Sequence, residues 1–256
     1  MRRRPVRRGP GRFVLDVSVQ PHSDTGRYPF TLPAVRGLQE HGLELAAGVT
    51  FLVGENGSGK STLVEAIAVA CGFNPEGGSQ DFRFATRATE SSLGDRLALT
   101  WSTPKPRTGF FLRAESYYNV ATEIERLNQE PGPPLLPSYG GTSPHERSHG
   151  ESFLDLVTHR FGPEGLYFLD EPEAALSVRG CLAVLARLAD LADHGSQIVV
   201  ATHSPILLAL PGASIFEIDD DGAITPTPYD EALPVRLMRE FLARPETYLR
   251  HLLSPQ

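Results

Sequence analysis

One glycine-rich run constrains the fold of this chain more than any other segment: Gly54-Glu55-Asn56-Gly57-Ser58-Gly59-Lys60-Ser61. It fits the pattern G-x-x-x-x-G-K-[ST], in which backbone N–H groups cradle the phosphates of a nucleotide. Residues 49–53 are apolar and β-branched and predict a buried strand, while residues 62–70 predict a helix. An ordinary glycine-rich turn is the alternative. The flanking elements favour a phosphate-binding loop, because the helix N-terminus adds the positive end of its dipole.

The side chains of this loop indicate how it would bind a nucleotide. Lys60 would reach the β- and γ-phosphate oxygens, and the Ser61 hydroxyl would ligate Mg²⁺. Lys60 is one of only two lysines, and the other, Lys105, lies in a proline-rich run that predicts a loop. The predicted nucleotide-binding residues of this segment are Gly54, Glu55, Asn56, Gly57, Ser58, Gly59, Lys60, Ser61 and Thr62.

A second pattern places two acids directly after a buried strand. The run Leu166-Tyr167-Phe168-Leu169-Asp170-Glu171 has four apolar residues followed by two carboxylates, the Walker B pattern. A parallel strand delivers such residues to the carboxyl edge of the sheet, where ligands bind. We expect Asp170 to hold Mg²⁺ and Glu171 to act as the general base toward the attacking water. The alternative, acids that merely cap the next helix, is weakened by the phosphate loop.

Two further segments are candidates for contact with the nucleotide. His203 follows the apolar run 198–202, and 33 residues separate it from Asp170, which is room for one helix and one adjacent strand. We expect His203 to contact the γ-phosphate and to help fix the water, although a histidine at a strand end also serves structural roles. The turn Ser148-His149-Gly150-Glu151 precedes a predicted helix. It is either an anion-binding shape or a capping box formed by its first and last residues.

Composition limits the class of protein and its compartment. The chain has 256 residues, 40% of them hydrophobic, which is enough for one large core. No apolar stretch is long enough to span a bilayer, and the basic N-terminus lacks the apolar segment of a secretory signal. Cys71 and Cys181 lie in apolar helical runs and are predicted to pack in the core without forming a disulfide. These features predict a cytoplasmic protein.

Charge is distributed unevenly along the chain. Six of the 24 basic residues fall within residues 1–12, so residues 13–256 carry 18 Lys and Arg against 31 Asp and Glu. An acidic body argues against a broad nucleic-acid footprint. We predict a flexible basic tail over 1–12, which could touch phosphates or lipid headgroups, and a single domain over 13–256.

The apolar pattern predicts an α/β fold. Strands that are apolar throughout and alternate with helices imply a parallel sheet covered by helical layers. The first strands and a final hairpin around Asp221-Gly222 are expected to add antiparallel pieces. Residues 20–35 and the proline-rich residues 129–147 are predicted loops. The other predicted strands are 13–19, 43–45, 96–101, 109–112, 165–169, 197–201, 214–218 and 223–227, and the other predicted helices are 116–127, 151–161 and 177–192.

Together these motifs resemble the ATP-binding cassette (ABC) ATPases, a branch of the P-loop NTPases, and within them a small soluble bacterial group related to OLD and SMC ATPases. The resemblance is carried by the Walker A run 54–61, the Walker B run 169–172 and the switch-histidine run 202–204, with 148–151 in the place of the signature motif. It implies a mixed sheet with a parallel core, antiparallel β pieces and a small helical lobe at about 115–163.

The same resemblance implies an active site shared between two copies of the chain. ATP and Mg²⁺ would be bound in a head-to-tail homodimer, in which Ser148 and Gly150 of one copy grip the γ-phosphate held by the other. Each site would take Lys60, Ser61, Asp170, Glu171 and His203 from one chain. The resemblance also places Tyr28 or Phe30 where the family has an aromatic residue that stacks on adenine. Ordinary loop packing is the alternative for this pair.

Departures from the family pattern bear on the biological role. The signature segment has His149 and Glu151 where the family has glycine and glutamine, and no glutamine marks the Q-loop, where Glu115 stands in the right region. The Q-loop couples transporter ATPases to their membrane partners, so the missing glutamine counts against a role in transport. The 110 residues from Lys60 to Asp170 leave no room for a coiled-coil arm. A transporter subunit and a DNA-associated ATPase stay as alternatives, with membrane or DNA partners.

Overall fold

A six-stranded sheet forms the centre of the fold in this computed structural model, which describes residues 10–21, 26–80, 93–129, 136–141, 143 and 146–253. The first five strands in spatial order run parallel, and the last is antiparallel to its neighbour. The predicted parallel core and the predicted final hairpin are therefore confirmed. In spatial order the strands are β5 (Thr108–Arg113), β6 (Gly165–Asp170), β7 (Gln197–Ala201), β3 (Val49–Gly54), β8 (Ser214–Ile218) and β9 (Ile224–Pro226).

A smaller antiparallel sheet covers part of one face. It has three strands in the order β2 (Leu43–Glu44), β1 (Val14–Val19) and β4 (Leu97–Trp101). The expectation that the first strands add antiparallel structure is thus confirmed. The central strands are buried on both faces, as the uninterrupted apolar runs predicted, and every residue of β3 and β6 is buried.

Helices cover both faces of the central sheet. Residues of α2 pack with those of the small sheet on one side, whereas α3, α4 and α5 share the other core. The helices predicted over 116–127, 151–161 and 177–192 correspond to α3, α4 and α5. The helices are α1 (Pro33–His41), α2 (Lys60–Ala70), α3 (Tyr117–Asn128), α4 (His149–His159), α5 (Val178–Asp193), α6 (Pro205–Leu208), α7 (Leu233–Ala243) and α8 (Pro245–Leu253).

The predicted loop over residues 20–35 is wrong at its end, because α1 begins at Pro33. Proline suits the first helical position, since its φ is already helical and its missing N–H has no intrahelical partner there. Ala34, Val35 and Leu38 then bury one face of the helix in the core. Proline therefore starts a helix here instead of interrupting one.

Several expectations concern segments at the limits of the described chain. Residues 1–9 of the basic tail, and residues 130–135, 142 and 144–145 of the proline-rich loop, lie outside the described residues.

Both cysteines are buried free thiols, and burial raises the pKa of Cys71 to about 12. Across the described part of the chain, the helices are all too short or too polar to cross a membrane. The domain limits remain a prediction.

Candidate nucleotide-binding site

The glycine-rich loop connects the carboxyl end of β3 to the first turn of α2. Gly57 and Gly59 have φ values of 89° and 95°, which side-chain-bearing residues rarely adopt. A Cβ on Gly54 would come within 2.8 Å of Ser58 Oγ and 2.9 Å of the Ile218 carbonyl oxygen. The N-cap residue of α2 is Gly59, which has no side chain to accept from the first-turn N–H groups. The first turn of α2 therefore has the form of a phosphate-binding helix N-terminus.

Lys60 extends into the interior of the site. The residue is only 4% exposed, and its Nζ lies 3.3 Å from Glu171 Oε1. A buried ammonium group needs a partner of opposite charge or several hydrogen bonds. Glu171 supplies that charge, so the two predicted catalytic residues meet in space although they are 111 positions apart in the chain.

Asp170 and Ser61 form a pair of oxygen donors beside this lysine. Asp170 ends β6 and is buried, and the Ser61 hydroxyl favours the charged form of its carboxylate. Burial raises the pKa of Asp170, and its buried Oδ1 has no hydrogen-bond partner among the described residues. Hard oxygen donors of this kind, completed by water and phosphate oxygens, suit Mg²⁺. Within the described residues no cluster of three or more His, Cys, Asp or Glu could hold a metal alone.

Arg113 joins the Asp170 carboxylate to a second buried acid. Its Nε lies 3.4 Å from Asp170 Oδ2, and its Nη1 lies 2.5 Å from Glu65 Oε2. Burial raises the pKa of Glu65, and the charge of Arg113 opposes that rise. Sequence reasoning identified Asp170 but missed Glu65 and Arg113, because the sequence does not show which distant charge each of them meets. Glu65 occurs within the apolar run of α2, and a charge inside such a run is a signal that could have indicated a buried partner.

Glu171 and His203 meet at the edge of the site. Glu171 adopts left-handed backbone angles, φ 48° and ψ 51°, which are uncommon for a residue other than glycine. Its Oε1 lies 3.8 Å from His203 Nε2. Burial, followed by the positive charge of Lys60, lowers the pKa of His203, which favours a neutral imidazole. The His203 backbone N–H donates to Glu173 Oε1 at 2.5 Å. This hydrogen bond fixes the backbone just beyond the end of β7.

A cavity of about 310 Å³ opens onto these groups. It brings residues from the end of β5 and the start of α4 to the same space as the predicted metal ligands. Glu115 and His149, which the sequence marked as departures from the family pattern, both face this cavity. The lining residues are Ser61, Arg113, Ala114, Glu115, His149, Asp170, Glu171, Ala174 and Ala175.

Ser148 and Gly150 lie at the first turn of α4. Ser148 is the N-cap, and its hydroxyl donates to Glu151 Oε2 at 2.7 Å as part of a complete capping box. A Cβ on Gly150 would approach the Ala175 carbonyl oxygen to 2.9 Å, so glycine suits this close contact. The capping interpretation therefore describes the local geometry. The role of both residues toward a second copy stays a prediction.

The two aromatic candidates for adenine stacking differ in exposure. Tyr28 is 68% exposed, whereas Phe30 is 5% exposed and packs in the core with residues of α1 and α2. Phe30 thus has the loop-packing environment that was the alternative. Tyr28 is the one of the pair with a ring open to a ligand, and its stacking role stays a prediction.

Comparison with known proteins places this geometry among nucleotide-binding proteins. The profile of a family described as "AAA domain" matches residues 31–125, which include the phosphate loop. The vitamin B12 import ATP-binding protein BtuD of Escherichia coli K12 is 30% identical over 175 residues, covering 62% of this chain and 68% of BtuD. The cytochrome c biogenesis ATP-binding export protein CcmA of Rhodopseudomonas palustris is 31% identical over 191 residues, covering 70% of this chain and 92% of CcmA.

A solved structure shares the overall arrangement. An ABC transporter of the metal-chelate type, in an inward-facing conformation, aligns with a TM-score of 0.50 and 17% sequence identity. The alignment covers 90% of this chain and 89% of that chain. At this identity the likeness extends to the fold alone.

Proposed function

Because the chain belongs to the ABC-type ATP-binding family and is an ATPase of that kind, we propose that it hydrolyses ATP with Mg²⁺ at this site, within a head-to-tail homodimer. The observation that carries the proposal is the convergence on Glu171. Its Oε1 lies 3.3 Å from Lys60 Nζ and 3.8 Å from His203 Nε2. A lysine, a carboxylate and a histidine at such short distances are the groups needed to hold a phosphate and to accept the proton of an attacking water.

Each side chain has a distinct task in this proposal. Lys60 would transfer its contact from Glu171 to the β- and γ-phosphate oxygens, and the released Glu171 would accept the proton of the water. Ser61 and Asp170 would hold Mg²⁺, which would supply charge neutralisation to the phosphates. The neutral His203 would hydrogen-bond the γ-phosphate region through Nε2, which is buried and has no hydrogen-bond partner among the described residues.

The second copy would complete the site through the first turn of α4. Ser148 is exposed and its hydroxyl is held only by the capping box with Glu151, so it could turn to a γ-phosphate across a dimer contact. The N-terminus of α4 would add its dipole to the same anion. Hydrolysis would remove the group that joins the copies and let them separate.

The experiment is the substitution Glu171→Gln, which keeps the shape of the side chain and removes the base. We expect ATP turnover to fall by about 100-fold or more while ATP still binds, so that an ATP-bound dimer accumulates in size-exclusion chromatography with light scattering. The matched control is Glu40→Gln, because Glu40 is an exposed acid on α1. Wild-type turnover in Glu171→Gln would exclude Glu171 as the base.

A second candidate function is the ATP-binding subunit of a transporter. The roles of BtuD in vitamin B12 import and of CcmA in cytochrome c biogenesis export favour it. The end of β5 counts against it, since Glu115 there replaces the expected glutamine and its side chain is 85% exposed. Co-purification of the tagged chain with an integral membrane protein would support this candidate, and recovery of the chain without any such protein would count against it.

A further inference from the structure

The last two helices expose an unusual amount of apolar side chain. Val235 anchors the start of α7 in the core, but beyond it seven large apolar residues on α7 and α8 are 37–75% exposed. None of the residues of α8 is buried. These seven form what we call the C-terminal patch: Leu237, Met238, Phe241, Leu242, Leu249, Leu252 and Leu253.

Contacts at the junction of α7 and α8 hold together these two helices, which we call the hairpin, and leave the patch uncovered. The rings of Phe241 and Tyr248 meet edge to face, with centroids 5.8 Å apart. The Tyr248 hydroxyl donates to Glu240 Oε2 at 2.7 Å. On α7 the exposed apolar residues recur at a spacing of four, which is the spacing of a helix face that packs on something. The hairpin thus exposes an apolar surface to solvent.

The size of the patch is appropriate for a stable protein contact. The exposed fractions of its seven residues correspond to about 800 Å² of surface, given about 200 Å² for a large apolar residue. The largest apolar patch of an ordinary monomer is about 300–600 Å². Two such patches facing each other would bury about 1,600 Å², which lies within the range of standard protein–protein interfaces.

Charges on the hairpin favour a protein, and not a lipid surface, as the partner that covers the C-terminal patch. A helix that lies on a membrane carries mainly Lys and Arg on its polar face. Here the exposed positions carry both signs, with glutamates at 240 and 246 among the arginines at 236, 239, 244 and 250. Such mixed charges are typical of helices that pair with other helices.

The other exposed apolar residues of the described chain indicate which protein surface could cover the C-terminal patch. The only other large apolar residues exposed on the described part of the chain are Tyr28, Tyr118, Val178 and Leu182. Val178 and Leu182 share α5, whereas each of the two tyrosines lies in a different segment. None of these residues therefore forms a patch of comparable size. Among the described residues, the apolar surface that can cover the C-terminal patch is therefore the same patch of a second copy.

We propose that α7 and α8 form a two-fold dimer contact, in which the C-terminal patch of one copy packs on the same patch of a second copy. A self-complementary patch of this kind makes an isologous contact, in which each copy uses the same residues. The contact goes beyond the proposed function, since it uses no residue of the nucleotide site and needs no nucleotide. It would keep two copies together while their nucleotide sites open and close.

The test measures the mass of the full chain with no nucleotide added. Sedimentation velocity from about 1 to 100 µM should give a mass near twice 27.9 kDa for the wild type. The double variant Leu242→Glu/Leu252→Glu should raise the dimer dissociation constant by about 100-fold or more, because it places charges within the apolar contact. Both side chains are mostly exposed within one copy, so the variant should keep the wild-type far-ultraviolet circular dichroism spectrum.

The matched control is Val178→Glu/Leu182→Glu, which adds the same charges at exposed apolar positions of α5 and should leave the dimer intact. A monomeric wild type throughout the range, or a dimeric Leu242→Glu/Leu252→Glu variant, would overturn the proposal. A monomer that floats with phosphatidylglycerol vesicles would also overturn it and would identify a membrane as the occupant. Adding Glu171→Gln and ATP to the hairpin variant tests the head-to-tail dimer separately, so each proposal can fail without the other.

Discussion

Lys60 Nζ and Glu171 Oε1 lie 3.3 Å apart, so the lysine of the phosphate loop and the proposed catalytic base are ion-paired. The lysine is almost fully buried, and the glutamate is about one third exposed at the cavity. Phosphate oxygens and Glu171 would therefore compete for the same ammonium group. This competition couples binding of the nucleotide to the release of the base.

The first prediction concerns Lys60→Ala. Removing the ammonium deletes a charge-assisted contact to phosphate in a largely desolvated site, and we expect ATP affinity to fall by about 100-fold. Isothermal titration calorimetry measures the change. Lys105→Ala is the matched control, because the only other lysine of the chain packs over the Trp101 ring at 3.3 Å, outside the nucleotide site. Equal losses in both variants would show that Lys60 has no specific role.

The second prediction concerns the buried cluster around Arg113. Arg113→Met leaves the carboxylates of Glu65 and Asp170 without their cation, and we expect a loss of about 2–4 kcal/mol in the free energy of unfolding. Adding Glu65→Leu should recover part of that loss, because it removes one of the stranded charges. Urea unfolding measures the cycle.

The control for this cluster is Arg126→Met. Arg126 pairs with Glu123 on the surface of α3, with the arginine side chain 57% exposed, and its loss should cost less than about 1 kcal/mol. If the costs of Arg113→Met and Glu65→Leu simply add, the two residues are not coupled and the proposed cluster makes no energetic contribution.

The third prediction is a pH dependence that arises from His203. Its pKa is lowered in the folded state, mainly by burial, so below about pH 6.5 the unfolded chain binds more protons at this position than the folded one. Stability contributed by the neutral histidine is therefore present above that pH and is lost as the pH falls through the folded pKa. The slope from this one group is at most about 1.4 kcal/mol per pH unit.

Urea unfolding of the wild type and of His203→Gln at several values between about pH 5 and 7 tests this dependence. The variant should show a smaller decrease in stability toward low pH than the wild type. The control His41→Gln changes a histidine whose side chain is 73% exposed, and it should keep the wild-type slope. Identical slopes in all three proteins would contradict the prediction.

The fourth prediction separates capping from catalysis at Ser148. Ser148→Ala should cost about 1 kcal/mol of stability, because the hydroxyl belongs to the capping box of α4. If the hydroxyl also grips the γ-phosphate of a partner, turnover should fall by about 10-fold or more. Glu151→Gln is the control, since glutamine retains the capping box. Unchanged turnover in Ser148→Ala would leave capping as its role.

The phosphate loop and its neighbouring elements could be predicted from the sequence because their determinants are local. Positive φ angles require glycine at 57 and 59, and the uninterrupted apolar runs of β3, β6 and β7 are typical of strands buried on both faces. The helix predicted over 177–192 is capped by Ser177, whose side chain accepts the Gly180 N–H at 3.2 Å. Each of these features depends on residues within one turn or one strand.

The sequence by itself determined that a phosphate-binding loop and two strand-end acids exist, because propensity and periodicity act within a segment. Only the tertiary structure decided the strand order β5-β6-β7-β3, which brings Asp170, His203 and Lys60 to one edge of the sheet. It alone revealed the contacts of Arg113 with Glu65, and the exposure of the hairpin formed by α7 and α8. These features depend on which distant segments pack together, and local spacing carries no information about that choice.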